Sequence, residues 1–332
     1  MQRYDRGMIE TLVPFPSDGA PPPSDDAIET VLRAELAQGD AMIGSITPIL
    51  RHLLSSEDHS VFSDEIVARV RGSAGDVARQ LLAEAGQGQD GEPGNEPAAP
   101  ALEALTHELI AAPAFLAHLH SSALEWQLTQ RLQSRLSLDP VLSPLLQALI
   151  ASSDAVTAGL AMNLLAAQSR FVQNQRRMRL PLGELPGDLL HTALLAMRAL
   201  ADNDGAAAAS ESAIRERYDE GRSRLGLMAR LITGMGGGAV AALAVSHAGV
   251  ALFASALALA SGQDRDLAIL STNEGQLARL ALALRAAGLK PAGVAEQFVA
   301  LHPEVTLPEG IDTLGSDRAA SILALAGAYN GR

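Results

Sequence analysis

Apolar residues recur every three or four positions along most of the chain, the spacing of one buried helix face. Ile28, Val31, Leu32 and Leu36 form the first stripe, with Ser24 or Asp25 as its cap. The pair Gly39-Asp40 predicts a break, after which Ile43, Ile46, Ile49, Leu50, Leu53 and Leu54 form a second stripe. The box Ser63-Asp64-Glu65-Ile66 opens a third, through Val67, Val70, Val77, Leu81 and Leu82. Past residue 100, Leu102, Leu105, Leu109 and Ile110 run to a stop at Pro113. Phe115, Leu116, Leu119, Leu124, Leu128, Leu132 and Leu136 carry the next helix. Asp139-Pro140 predicts another start, Asp as N-cap and Pro at the first helical position, for a short helix ending at Ile150.

The most distinctive stretch is 154–200, which reads as two amphipathic helices joined by the corner RLPLGELPGD. Pro181 and Pro186 fix that corner, and Val156, Leu160, Leu164, Phe171, Leu190 and Leu194 are expected to face the core. Beyond the segment DNDGAAAASES, one helix is predicted through Ile214, Tyr218, Leu225, Met228 and Leu231. Ser271-Thr272-Asn273-Glu274 reads as a capping box before Leu277, Leu280, Leu282 and Leu284, with Gly288 as terminator. Shorter helices around 294–301 and 318–329 close the chain.

The pattern predicts an all-α fold, either a helical-hairpin (HEAT-like) array or an irregular multi-helix bundle. Its expected organisation is an irregular tail at 1–24, a small helical unit at 25–85, a Gly/Pro/acidic linker or loop at 86–100, and a main helical-repeat domain at 101–332. Composition agrees: hydrophobic residues are 48% and aromatics only 3%, with Ala and Leu far ahead of the β-branched residues that strands favour.

Charge narrows the partners. The net charge is −13, and residues 1–100 alone hold 17 acidic against 7 basic residues. A chain so acidic is repelled by a phosphate backbone, which argues against nucleic acid as a partner. With no cysteine, disulfides, thiolate metal sites and cysteine nucleophiles are excluded. The N-terminal residues lack the apolar core of a secretion signal, so the expectation is a bacterial cytoplasmic protein.

Candidate chemistry is sparse. The 33 residues 231–263 hold no charged side chain, enough length to span a bilayer. Three glycines, Ser246-His247 and the absence of basic or aromatic belts favour instead two tightly packed core helices broken near His247-Ala248-Gly249. The run Gly234–Gly238 has neither the strand and acid of a dinucleotide site nor the Lys-hydroxyl pair of a P-loop, and reads as a helix junction. His107, His118 and His120 are spaced poorly for a shared metal, His52 and His59 no better, and there is no G-x-S-x-G elbow. Lys290, the one lysine, sits in a turn rather than in an apolar pocket suited to Schiff-base chemistry. No catalytic, cofactor-binding or metal-ligating residue is assigned, which leans the reading away from an enzyme. What remains is a basic cluster in an acidic chain: Arg170, Arg176, Arg177 and Arg179, with Arg198 on the next helix. Arginine forks suit carboxylates, so the cluster predicts a contact surface for an acidic partner, either a protein with an acidic face or the chain's own acidic N-terminal region. The plainer alternative is local ion pairing with Glu184 and Asp188.

Residues 101–302 resemble an uncharacterised bacterial family, common in alphaproteobacteria and catalogued as domain of unknown function 2336. The segments that carry the resemblance are LxxLIASSDAVTAGLAMNLLAAQSRF, RRMRLPLGELPGDLLHTAL and ARLALALRAAGLKPAGV. It implies a helical, HEAT-like intracellular protein and supplies no catalytic residues. Taken together, the sequence predicts a non-enzymatic helical scaffold or adaptor. The alternatives are a small-molecule-binding regulatory domain, with its ligand near Gly234–Gly238, and a membrane-associated protein using 231–263.

Overall fold

The structure is a computed structural model describing residues 25–55, 64–86, 98–201, 204–305, 307 and 310–327. The expected tail at 1–24, most of the linker at 86–100, Ser63, His59 and the His52 side chain lie outside the described residues. Fourteen α-helices follow one another, and no strand occurs among the described residues. They begin with α1 (Asp25–Ser55), α2 (Asp64–Gly86), α3 (Ala99–Ala111) and α4 (Pro113–Leu136). Next come α5 (Pro144–Ile150), α6 (Ala155–Arg176), α7 (Gly187–Ala199), α8 (Asp204–Arg217) and α9 (Arg224–Gly234). A 3-10 helix, Gly236–Leu243, leads into α10 (Val245–Ser261). The last four are α11 (Arg265–Ser271), α12 (Leu277–Ala286), α13 (Pro291–Leu301) and α14 (Ser316–Gly327).

Several elements differ from the expectation, each for a local reason. Gly39-Asp40 does not break α1. A glycine costs a helix only about 1 kcal/mol, and here it serves close approach: a Cβ would lie 2.6 Å from Gln276 Oε1. Gln276 Nε2 donates to the Gly39 carbonyl at 2.7 Å, and Asp40 pairs with the buried Arg279. Asp139 caps no helix; its carboxylate accepts from the N–H groups of Val141 (2.7 Å) and Leu142 (2.9 Å), closing a turn. Ser143 is the cap of α5 instead, with Pro144 at its first position. The stripe from Ile214 to Leu231 is split by a 3-10 turn at Glu220–Arg222, where Asp219 accepts from the Gly221 N–H and Ser223 caps α9. The segment DNDGAAAASES, placed ahead of the predicted helix, is largely part of α8, as its alanines prefer. No capping box forms at 271–274: the Ser271 hydroxyl donates back to the Ala268 carbonyl at 2.7 Å. Val156 is 70% exposed, because the buried face of α6 centres on Leu164, Phe171 and Gln175 and Val156 falls at its edge. Leu164, Phe171, Leu190 and Leu194 are buried as expected, and Leu160 is half-buried.

Two large apolar cores organise the helices. One gathers α10 and α12 with parts of α5, α6, α9, α11, α13 and α14. The other joins α2, α3 and α7. α4 runs through both, giving Phe115–Ala123 to the second and Leu128 and Leu132 to the first. α1 does the same: Ile28, Leu32 and Leu36 enter the first core, Leu50 and Leu54 the second. α1 touches α12 and α14, and α4 touches α11. Contacts so remote in sequence are those of a bundle; in a one-dimensional array each repeat meets only its neighbours.

The apolar stretch 231–263 becomes part of α9, the 3-10 helix and α10. No single described helix is long and apolar enough to cross a membrane, and the 3-10 helix and α10 meet at a bend of 113°. Within α10 the backbone breaks at Gly249, with φ 72° and ψ 165°, a region that only glycine visits freely. An added Cβ would also lie 3.1 Å from Ser143 Cβ. Gly249→Ala is expected to lower stability by about 1–3 kcal/mol, the cost of backbone strain of this kind, read as a reduced urea midpoint. An unchanged midpoint would mean that the kink is not fixed as described.

Candidate functional site: an arginine corner clamped by α2

α6 ends in a left-handed turn. Arg177 is its C-cap, the Met178 N–H donates to the Gln175 carbonyl (3.2 Å), and the Arg179 N–H donates to that of Asn174 (2.9 Å). This pairing is a Schellman motif, whose left-handed position is usually glycine. Here it is Met178, with φ 53°. The methionine packs against Gly72 of α2, where a Cβ would lie only 2.8 Å from Met178 Cβ. Pro181 and Pro186 then introduce the 3-10 turn Leu182–Glu184 and α7, so both prolines stand at element starts as expected.

Three α2 side chains hold this corner. Arg69 is buried: it pairs with Glu65 (2.8 Å), donates to the Gln175 carbonyl at 2.7 Å, and lies 5.4 Å from the centre of the Trp126 ring. Asp76 accepts from the Leu180 N–H at 3.0 Å. Gln80 donates to the Leu180 carbonyl (2.9 Å) and accepts from the Leu182 N–H (3.1 Å). The backbone from 175 to 182 is thus tied to one helix at several points, which makes its side chains a pre-organised surface.

That surface is cationic. Arg170, Arg176, Arg177 and Arg179 are all exposed, and none has a side-chain hydrogen bond or ion pair among the described residues. Arg170, on α6, and Arg177, its C-cap, are seven positions apart, about two helical turns. Neither expected local partner pairs with them among the described residues: Glu184 accepts from the Arg224 N–H at 2.7 Å, and Asp188 stands in the first turn of α7. Arg198 does not join the corner. It stands in the last turn of α7 and faces Glu211 of α8 at 3.5 Å. The cluster divides into four free guanidiniums and one paired.

Behind the corner lies a buried ion centre that the sequence did not point to. Glu125 of α4, 1% exposed, receives a two-pronged contact from Arg224 (2.6 and 2.9 Å) and a third from Arg265 (3.0 Å). Arg224 also reaches Gln168 at 3.3 Å and lies 3.5 Å over the Phe171 ring. Burial alone would push the Glu125 carboxyl up; the two guanidiniums overrule it and hold the group well below the usual carboxylate range. Beside it, His118 Nδ1 lies 3.0 Å from Asp266. His118, Glu125, Phe171, Leu180, Arg224 and Asp266 line a crevice of about 20 Å³, room for little more than a water molecule. The only sequence signal was charge inside otherwise apolar stripes, as at Glu125 between Leu124 and Trp126.

The remaining candidates stay apart. His107 is exposed on α3, His120 is buried on α4, and no described group of three His, Asp or Glu could hold a metal. Lys290 is exposed at the start of α13, and the second crevice, by the α10 kink, measures about 30 Å³. Comparison with protein-family models, curated proteins and solved structures finds no match.

Proposed function

We propose that the chain is a non-enzymatic helical scaffold or adaptor of the bacterial cytoplasm, whose partner is a protein with an acidic surface. The observation that carries this is the arginine corner: four guanidiniums without a counter-charge among the described residues, on a backbone clamped by Arg69, Asp76 and Gln80. Exposed, unpaired arginines suit carboxylate recognition, and the clamped backbone removes the backbone part of the ordering cost, leaving that of the side chains. Arg198, already paired, has at most a peripheral part. Kinship with the domain-of-unknown-function family belongs to the same proposal. The small-molecule reading has less support, since both crevices hold only a water or two.

The test is affinity capture from the native host with the full chain and with Arg176→Ala/Arg177→Ala/Arg179→Ala. The triple variant is expected to lose the captured partner while its urea midpoint stays within about 0.5 kcal/mol of the parent, as for surface changes generally. Retention of the same partner by the variant would reject the corner as the contact surface.

A further inference from the structure

We infer that the arginine corner also docks onto a second copy of this chain, against an acidic cluster formed by Asp188, Asp219 and Glu220. The inference rests on reading the corner as an acid-binding surface, and it names one occupant.

The acids gather around Tyr218. The Tyr218 hydroxyl donates to the Leu185 carbonyl at 2.8 Å, which brings the α8–α9 connection against the start of α7. A Cβ on Gly187, next to Asp188, would lie 3.0 Å from Glu220 Oε2 and 3.6 Å from the Tyr218 oxygen. The phenol responds to this company: burial first, then Glu220, Asp188 and Asp219, push it up to about 12. All three acids are exposed and none forms an ion pair among the described residues, although Arg222 is exposed in the same turn and Arg230 donates to the Gly221 carbonyl at 3.3 Å. The described residues therefore carry a cationic patch and an anionic patch, each without an ion-pair partner among them.

The two patches lie at the ends of one clamped strip of chain. Arg179 and Asp188 are the ends of the segment 179–188, whose middle is fixed by Asp76, Gln80 and Tyr218. The spacing between patches is held, and the clamped residues between them keep the two from meeting within one chain. A two-fold axis through the strip places each copy's arginines on the other's carboxylates, because an isologous interface is self-complementary: residue i meets j and j meets i. Overall charge opposes the encounter, since each copy carries −13. At physiological salt, however, interactions beyond about 8 Å are largely screened while contacts at the strip persist. Exposed pairs are individually weak, so the dimer is expected to be weak and to loosen further as salt is added. Since it covers the corner, self-association competes with the acidic partner.

The test uses the full chain in sedimentation equilibrium at near-physiological salt. The parent is expected to show a monomer–dimer equilibrium. Reversing the corner (Arg176→Glu/Arg177→Glu/Arg179→Glu) or the acids (Asp188→Arg/Asp219→Arg/Glu220→Arg) should each weaken dimerisation at least tenfold. Mixing the two variants should restore it as a heterodimer, one strip wholly acidic and the other wholly basic. Should either reversal unfold the chain, the neutral versions (Arg→Gln; Asp→Asn with Glu→Gln) replace it, with weakened self-association still expected. A monomeric parent, or a dimer indifferent to these changes, overturns the inference. A monomeric parent whose triple-alanine variant still loses its captured partner would leave the docking function standing and remove only self-association.

Discussion

Glu125→Ala is expected to lower stability by about 3–5 kcal/mol, the range for removing one partner of a buried ion pair. The reason lies in what would be left behind. Arg224 and Arg265 are largely buried, with side chains 5% and 15% exposed, and both aim at this one carboxylate. Without it, Arg224 keeps Gln168 and the Phe171 ring, neither of which is a counter-charge, and Arg265 keeps the Ser255 hydroxyl at 2.9 Å and the nearby charge of Asp266. The centre also ties α4, α9, α11 and, through Gln168, α6, so the loss is felt where the first core meets the corner. Urea unfolding of Glu125→Ala measures it. The contrasting variant removes all three charges (Glu125→Leu/Arg224→Met/Arg265→Met) and should fall far less, because buried ion pairs contribute little net stability over apolar replacements of similar size. Equal losses in the two variants would show that packing volume, not stranded charge, sets the penalty.

The same centre marks the limit of what the sequence showed. Helix spacing is a local property, and it located most of the helices: α3, α4, α6 and α7 lie where their stripes predicted. The misreadings fall where a distant group decided. Gly39 looked like a breaker until Gln276 and Arg279 came against it from more than 230 residues away. Asp139 looked like a cap, but its carboxylate closed a turn, and Ser143 took the role. The arginine corner was visible as a run of like charge. Its freedom from ion pairs was not, because that depends on Glu184 turning to the Arg224 backbone. Nor was its rigidity, which comes from α2 residues about a hundred positions earlier.

Mild acid is expected to destabilise the fold through His120. Burial is the main cause of its low affinity for a proton, opposed only in part by the Asp266 charge, and its pKa falls from 6.5 to about 4. The sign follows from which state binds the proton. Between pH 6.5 and 4 the unfolded imidazole is protonated while the native one stays neutral, so stability falls as pH drops through this window and levels off below it. At about 1.36 kcal/mol per pKa unit, the full loss is about 3 kcal/mol. His302 adds in the same direction, because burial and then Arg131 lower its pKa as well. Carboxylates contribute later: Glu29 and Asp266 are held below their ordinary values by arginine and histidine contacts, so their share is lost only as the pH falls below the usual carboxylate range. Among the groups with lowered pKa the interval from pH 6.5 to 5 therefore belongs to the histidines, opposed by Glu35, whose carboxyl burial pushes up. Urea unfolding at pH 7, 6 and 5 should show the parent losing stability across it, and His120→Leu losing much less. If the two respond identically, His120 is not the group that makes the fold acid-sensitive.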